Sequence, residues 1–244
     1  MTITSVAELG TVLCVWAHPD DEAYLSAGIM ALAAAEGQRV VCITATKGES
    51  GSPDPDRWTP DQMAVIREAE LYACLDVLGV EEHRWLGYVD GECQDVDVDG
   101  PASELTAIIR EVQPDSILTF GPEGFTGHDD HCAVSAWTTE AHRRAGADRP
   151  RPRLHYVTQP ASWIAEFAPR WRELDAFPPS LPLCTPSREM SIAIELPPEV
   201  VDQKVRALGA QMSQTAPVRA ALGDDFYARS FAVECYRAAV ISRG

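Results

Sequence analysis

The 244-residue chain is poor in basic residues and has no long hydrophobic run. Its 20 lysines and arginines are outnumbered by 37 aspartates and glutamates, which gives a formal net charge of −17. Such a surface repels phosphate backbones and anionic headgroups, so we expect no nucleic-acid partner. No apolar stretch approaches the ~20 residues that a membrane-spanning helix needs. The first ten residues lack the basic start and apolar stretch of a signal peptide, so we expect no membrane insertion.

The chain also lacks any C-x-x-C pair, which argues against a paired-cysteine metal or redox site. Its seven cysteines are odd in number and scattered, and several lie inside apolar runs, as small buried hydrophobic residues do. We therefore expect reduced thiols in a cytoplasmic protein. The cysteines are Cys14, Cys42, Cys74, Cys93, Cys132, Cys184 and Cys235.

The first two thirds of the chain alternate between apolar strand-like runs and helix-like segments. This order predicts an α/β fold: a three-layer, Rossmann-like, mostly parallel sheet with helices on both faces. The predicted strands cover 11–17, 40–46, 83–86 and 116–120. The predicted helices cover 22–36, a segment capped by Asp61 that runs to Leu78, and 102–112.

The last third is less regular and predicts no second core, so we expect one domain over 1–244. Proline-rich stretches at 149–153 and 177–186 predict loops. Pro197 can begin a helix that runs to Gln214, because proline suits a first helical turn. Residues 231–241 predict an edge strand.

Two short runs bring histidines and carboxylates to the ends of predicted strands. AHPDDE occupies 17–22 and GHDDH occupies 127–131. In a parallel sheet, the carboxyl ends of the strands are where ligands bind. Two imidazoles, one carboxylate and an open position suit catalytic zinc, and they also suit the ferrous site of an oxygenase. The surplus carboxylate and histidine favour hydrolysis, because they can move protons and stabilise an oxyanion.

Spacing alone leaves open whether Asp20 or Asp21 is the ligand. The two motifs, in this order, resemble those of the LmbE-like or PIG-L family of zinc-dependent N-deacetylases, which act on N-acetylglucosamine-containing molecules. The resemblance spans 11–146 and extends weakly to 204–214. It implies a Zn²⁺ site with three ligands, namely His18, Asp21 and His131.

The resemblance also assigns catalytic roles. It implies that Asp20 is the general base that activates a zinc-bound water for attack on the amide carbonyl. His128 would stabilise the oxyanion or act as the acid, and Asp130 would fix the tautomer and charge of His128. The expected substrate is a small amino sugar or glycoside of the N-acetylglucosamine type.

Three further positions match family segments that contact the sugar. They are Glu49 in the run TKGE, Arg67 in the run REAE and Asp90 in the run LGYVDG. Short carboxylates and one arginine suit a polyol, because each hydroxyl needs a hydrogen-bond partner once it leaves water.

The chain departs from the family at three positions. Asp129 stands where a proline is common, which adds negative charge beside the ligands. Thr126 stands where some relatives carry tyrosine, and Gln211 stands where histidine is frequent. These changes leave the expected metal ligands intact.

Several alternatives stay open on sequence alone. An amidase that cleaves a larger thiol–sugar conjugate would use the same metal site. A ferrous oxygenase or a non-catalytic sugar-binding protein would share part of it, and Fe²⁺ uses ligands similar to those of Zn²⁺. The oligomeric state is also open, and a homo-oligomer is compatible with the sequence.

Overall fold

A computed structural model describes residues 1–146 and 151–240 and contains one seven-stranded sheet. The strands are β1 (Val12–Trp16), β2 (Val40–Thr46), β3 (Glu82–Tyr88), β4 (Ser116–Thr119), β5 (Arg153–Thr158), β6 (Met190–Glu195) and β7 (Val233–Ala238). Their spatial order is β3-β2-β1-β4-β5-β7-β6. The first five strands in that order are parallel, whereas β7 is antiparallel to both β5 and β6. The predicted mostly parallel α/β sheet is confirmed.

Helices surround this sheet in two packed groups. The helices are α1 (Asp21–Leu25), α2 (Ala27–Ala35), α3 (Pro60–Leu78), α4 (Asp99–Val112), α5 (Asp129–Ala145), α6 (Ala161–Glu166), α7 (Ala168–Arg172), α8 (Pro198–Ala210), α9 (Met212–Leu222) and α10 (Asp224–Arg229). One group contains α2, α3 and α8, and the other contains α4 and α5. Right-handed crossovers place the two groups on opposite faces. Within the described residues, no helix combines the length and the apolarity that crossing a membrane requires.

The centre of the sheet explains both the stability of the core and the place of the site. Every residue of β1 and β2 is buried, as expected for strands covered on both faces. The chain moves from β1 to β2 on one side and later returns to β4 on the other side of β1. The loops after β1 and β4 therefore diverge and leave a crevice at the carboxyl edge.

Two predictions about the first helices were wrong in detail. The segment 22–36 is divided at Ser26, whose φ of −142° is not helical. The break is stable because Glu234, on β7, accepts hydrogen bonds from the first free amides of α2, those of Gly28 and Ile29, both at 2.8 Å. The cap of α3 is Thr59, whose hydroxyl accepts from the amide of Gln62, and not Asp61.

The last third is more regular than the sequence indicates. Strands β5 and β6 were not predicted, and β7 is not the edge strand, because it lies between them while β6 forms the edge. The helix predicted over 197–214 is divided at Gln211 into α8 and α9. Residues 177–186 form a loop, as predicted. Residues 149–150 of the other predicted loop and Ile241 of the predicted strand lie outside the described residues, and Arg153 begins β5.

Candidate active site

The two histidine-bearing runs meet at the carboxyl edges of β1 and β4. His18 follows β1, whereas His131 lies in the first turn of α5, which follows β4. His18 Nδ1 lies 3.2 Å from His131 Nε2. Asp21 Oδ2 lies 3.6 Å from His18 Nδ1, and Asp21 Oδ1 lies 3.4 Å from His131 Nε2. Donor groups of three residues, from two distant parts of the chain, therefore form a compact cluster, which we call the triangle.

This triangle fits a divalent metal of the size of zinc. Bonds of about 2.0–2.1 Å in a tetrahedral site separate neighbouring donor atoms by about 3.3–3.4 Å. The His131 Nδ1–H donates to the carbonyl of Gly124 at 3.0 Å, which leaves the Nε2 lone pair for the triangle. The amide of His18 donates to Asp21 Oδ2 at 2.9 Å and orients that carboxylate.

The other nitrogen of His18 contacts two carboxylates. His18 Nε2 lies 3.0 Å from Asp130 Oδ2 and 3.0 Å from Asp90 Oδ1. Because Nε2 donates its proton to them, Nδ1 is the nitrogen that can ligate a metal, which would displace the second proton of the ring. Asp130 also accepts hydrogen bonds from the amides of Gly91, at 2.7 Å, and Cys93, at 3.0 Å. The side chain of Asp130 thus orients His18, whereas the sequence analysis expected it to orient His128.

The site carries surplus negative charge. Burial alone would lower the pKa of His18, but hydrogen bonds to Asp130 and Asp90 and the charge of Asp21 raise it to about 10. Burial lowers the pKa of His131 to about 4. Burial would raise the pKa of Asp130, yet its hydrogen bonds with His18 and with backbone amides lower it to about 2. A site that attracts a proton this strongly is suited to hold a cation.

Asp20, beside the triangle, has a strained backbone. Its φ of 110° is a conformation that non-glycine residues rarely adopt, and such strain concentrates at functional sites. The amide of Asp20 donates to Glu22 Oε2 at 3.1 Å, which helps to hold this turn. Burial raises the pKa of Asp20 to about 7, although the neighbouring guanidinium of Arg67, 3.3 Å away, opposes the rise. A carboxyl group of that pKa is matched to proton transfer near neutrality.

Arg67 links the first motif to the loop after β2. Its guanidinium is buried and donates to the carbonyls of Pro19 and Gly48, as well as to Asp20. Arg67 also lines the cavity of the site. Most of its donors are nevertheless engaged within the protein, so it acts on the geometry of Asp20 as well.

The other two predicted substrate contacts, Asp90 and Glu49, lie at different positions relative to the cavity. Asp90 lines the cavity, but its Oδ1 faces His18 and its Oδ2 accepts from the amide of Ser50 at 2.8 Å. Glu49 lies behind Asp90 and accepts from its amide at 3.0 Å. Glu49 is not among the cavity-lining residues, which differs from its expected contact with substrate.

His128 is the exposed member of the histidine cluster. The centroid of its ring lies 4.8 Å from the ring centroid of His18 and 5.0 Å from that of His131. The amide of Asp130 donates to His128 Nδ1 at 3.1 Å, so this nitrogen is an acceptor. The proton of the neutral ring is therefore on Nε2, which leaves a donor for a ligand. A nitrogen of His128 also lies close enough to those of His18 and His131 to join a metal cluster.

The three departures from the family have different surroundings. Thr126 Oγ1 lies 3.1 Å from His131 Nδ1 and so contacts a member of the triangle. Asp129 is exposed in the first turn of α5, where a carboxylate interacts favourably with the helix dipole. Gln211 is buried, and its amide donates to Glu22.

Two buried groups near the site were not among the predicted site residues. Glu22 is fully buried, burial raises its pKa to about 8, and it connects Gln211 to the amide of Asp20. Lys204 and Glu234 form a buried ion pair at 2.6 Å on the cavity wall. The glutamate of AHPDDE was the only signal for the first group, and no local pattern marked the second.

The site opens into one cavity of about 1060 Å³. Its polar part contains the triangle, Asp20, His128 and the loops after β2 and β3. Its other part is lined mainly by aromatic and aliphatic side chains that follow β5 and precede β7. A cavity of this size, with perturbed titratable groups at one end, has the character of an enzyme site.

Comparison of structures finds the same architecture in known enzymes. The N,N'-diacetylchitobiose deacetylase of Pyrococcus horikoshii superposes with a TM-score of 0.68 at 19% identity and covers 96% of this chain and 85% of its own. A deacetylase of the teicoplanin biosynthesis pathway superposes with a TM-score of 0.71 at 20% identity. The superposition covers 95% of this chain and 98% of the deacetylase. At such identities, the likeness shows the fold alone.

Sequence relatives are more similar. A "1D-myo-inositol 2-acetamido-2-deoxy-alpha-D-glucopyranoside deacetylase" of Rhodococcus erythropolis is 32% identical over 241 residues, which cover 83% of this chain and 80% of the relative. An enzyme of the same name from Streptomyces avermitilis is 34% identical over 218 residues, which cover 80% of this chain and 74% of the relative. The sequence model of the family described as "PIG-L: GlcNAc-PI de-N-acetylase" matches residues 13–142, just over half of the chain. The chain belongs to the PIG-L family.

Proposed function

We propose that this protein is a zinc-dependent hydrolase that removes the N-acetyl group from a small amino sugar or glycoside of the N-acetylglucosamine type. The observation that carries the proposal is the donor triangle of His18, Asp21 and His131 with the carboxylate of Asp20 beside it. Family membership and the deacetylase names of the relatives support the same reaction.

The triangle supplies two imidazole nitrogens and one carboxylate oxygen, a donor set typical of catalytic zinc. When bound, zinc supplies Lewis acidity and lowers the pKa of water to about 7. Asp130 and Asp90 keep His18 in the tautomer that the metal requires, and Gly124 does the same for His131.

Asp20 is the residue that takes the proton from the nucleophilic water. It lines the cavity, its side chain is 19% exposed, and Arg67 holds it from behind. His128 presents its Nε2–H to the oxygen of the amide as negative charge develops there. The proton that Asp20 has taken from water then passes to the leaving amine, and His128 keeps its own Nε2–H on the oxyanion.

The polar part of the cavity suits the sugar. Ser50 and Gly51 line it from the loop after β2, and Asp90 and Gly91 line it from the loop after β3. Gln214, on α9, closes this side by donating to the carbonyl of Gly51 at 2.8 Å. Backbone and side-chain groups in such a crevice can pair with the hydroxyls of a sugar ring.

A metal-reconstituted assay of acetate release tests the proposal. The protein is stripped with a chelator, reloaded with Zn²⁺ or Fe²⁺, and offered N-acetylglucosamine, its inositol glycoside and its malate glycoside. We expect acetate release with zinc from at least one glycoside. Silence across the panel with both metals contradicts the proposal, and activity with Fe²⁺ alone contradicts the choice of metal. Cleavage of thiol–sugar conjugates without any acetate release indicates the amidase instead.

We also infer a single domain and a cytoplasmic location. The C-terminal strand β7 lies inside the same sheet as β1, which supports one cooperative unit. All seven cysteines are free, and five of them are buried, which supports a reducing compartment. Limited proteolysis tests the first inference, because a second domain would yield two stable fragments. Localisation by fractionation of the source cells tests the second.

A further inference from the structure

The turn that presents Asp20 to the cavity has a conformation that its residue type does not favour. Asp20 has φ 110° and ψ −32°, a backbone conformation that a residue with a Cβ keeps only where surrounding contacts enforce it. Its carboxylate lines the cavity, and the metal ligand Asp21 is the next residue. The contacts that hold this turn therefore decide where the base lies relative to the triangle.

Most polar groups of the turn have partners in α1 or in Arg67. The carbonyl of Asp20 accepts from two amides of α1, at 2.9 and 3.0 Å. Arg67 donates to the carbonyl of Pro19 and to the carboxylate of Asp20. The amide of Asp20 has a different partner, because it donates to Glu22 Oε2 at 3.1 Å. Among the described residues, this carboxyl group is the sole acceptor for that amide.

Glu22 is an unfavourable residue to bury at this point. Its side chain is fully buried, and both preceding residues, Asp20 and Asp21, also carry carboxyl groups. Burial raises the pKa of Glu22 to about 8, and the charge of Asp20 adds to the rise. A carboxyl oxygen accepts a hydrogen bond whether or not the group is protonated, so its contact with the amide of Asp20 does not depend on charge. The acceptor that Glu22 provides explains a carboxyl group here, whereas fold stability does not.

The other oxygen of Glu22 is held from the C-terminal third of the chain. The side-chain amide of Gln211 donates to Glu22 Oε1, and Gln211 is buried. Gln211 lies at the junction of α8 and α9, where its backbone is not helical. Its carbonyl accepts from the amides of Gln214 and Thr215, both at 3.1 Å. Because these bonds fix the backbone of Gln211, its side chain is a firm support for Glu22.

We propose that Glu22 and Gln211 are positioning residues for the hydrolysis, and that they hold the turn that keeps the carboxylate of Asp20 beside the metal ligands. This inference rests on the proposed function, because Asp20 is the base only in that reaction. Neither positioning residue is among those that line the cavity, so both act through Asp20. The family match ends at residue 142 and assigns no role to Gln211.

Substitutions at Glu22 test the proposal on the zinc-loaded protein. Glu22→Leu removes the acceptor, so kcat should fall about 100-fold, while KM and bound zinc change less than about threefold. Glu22→Gln keeps an acceptor oxygen for the amide of Asp20, and the amide of Gln211 can rotate to face it. This variant should retain kcat within about threefold of wild type. A residue that only stabilised the fold would leave kcat per zinc-loaded molecule unchanged in both variants.

A double-mutant cycle tests whether Gln211 acts through Glu22. Gln211→Met removes the donor at similar size, so kcat should fall about tenfold. The double variant Glu22→Leu/Gln211→Met should be no slower than Glu22→Leu, because the second contact acts only through the first. Gln211→Met also provides the test if Glu22→Leu does not fold. The matched control is Gln38→Met, which should keep the wild-type kcat, because Gln38 donates to the carbonyl of Val6 at the amino end of β2.

Crystal structures of the same variants add a readout that does not depend on activity. In Glu22→Leu, we expect the carboxylate of Asp20 to move by about 1 Å or more, while the donor atoms of the triangle stay in place. An unchanged position of Asp20 or an unchanged kcat overturns the inference and leaves the proposed function standing. Additive losses in the cycle overturn it as well. If the wild-type protein releases no acetate from any substrate, the proposed function fails, and with it the catalytic role of both residues.

Discussion

The two sides of the cavity are built in different ways. The metal triangle and Asp20 come from two short runs of sequence, and each run leads into a helix, α1 or α5, that follows a strand. On the β5 and β7 side, the cavity has an aromatic wall that comes from α1, α6, α7 and two loops. The wall consists of Tyr24, Trp163, Trp171, Phe177 and Phe231. Reactive chemistry demands particular atoms at particular distances, which a short motif can supply. An apolar surface demands only shape and volume, which many combinations of residues provide.

The largest effect should follow from breaking the triangle. His131→Ala removes one of its two nitrogens, so we expect loss of bound zinc and a fall in acetate release of more than about 100-fold. Metal content by elemental analysis and turnover are measured on the same sample. His83 lies in β3, outside the site, and contacts Thr44 of β2. The control His83→Gln should therefore keep both the bound zinc and the turnover. Zinc retained at full stoichiometry in His131→Ala would rule out this ligand.

Substitution of the base Asp20 should lower the turnover without removing the zinc. Asp20→Asn keeps the size of the side chain but cannot accept the proton, so kcat should fall by roughly 10²–10⁴ while zinc remains bound. Asp129→Asn, at an exposed carboxylate of the second motif, is the control and should stay close to wild type. Full turnover in Asp20→Asn would show that another group is the base.

The next largest effect concerns stability and the buried pair of Lys204 and Glu234 on the cavity wall. Lys204→Met leaves the carboxylate of Glu234 buried without its partner, which should lower the free energy of unfolding by about 3–5 kcal/mol. Lys47 pairs with Glu68 at the same 2.6 Å but is 41% exposed, so Lys47→Met should cost less than about 1 kcal/mol. Urea unfolding measures both. Equal losses would mean that burial does not distinguish these pairs.

The smallest effect should come from a local cap that touches neither side of the cavity. Thr59→Ala removes the hydroxyl that caps α3 and should lower the free energy of unfolding by about 1 kcal/mol. Thr59→Ser keeps the hydroxyl and should restore most of the loss. Because the cap lies two turns before Arg67, kcat/KM should not change. A loss of activity in Thr59→Ala would show that the position of Arg67 depends on this helix end.

Much of the parallel half of the fold was predictable because its signals are local. Strand β2 occupies the predicted residues, and β1, β3 and β4 differ only at their ends. The antiparallel half was not predictable in the same way. Strand β7 has a buried centre in Cys235 and Tyr236, yet its place between β5 and β6 depends on partners more than 35 residues away.

The features of the site fall into the same two classes, those marked by local sequence and those that depend on distant partners. Histidines and aspartates at short spacing indicated a metal site at the ends of strands, and the structure brings His18, Asp21 and His131 together there. The partner of Asp130 was not predictable, because its carboxylate reaches a histidine 112 residues away rather than its neighbour His128. Similarly, nothing near Glu49 indicates that its carboxylate supports Asp90.

By itself, the sequence determined the fold class, the family and the residues that can hold a metal, because each depends on local periodicity or on short motifs. Only the tertiary structure decided which carboxylate orients which histidine, where β7 lies, and that an aromatic wall faces the polar side across the triangle. The physical reason is that hydrogen bonds and packing between distant segments depend on how the strands are ordered. That order is a property of the whole sheet and leaves no mark on any single stretch of the chain.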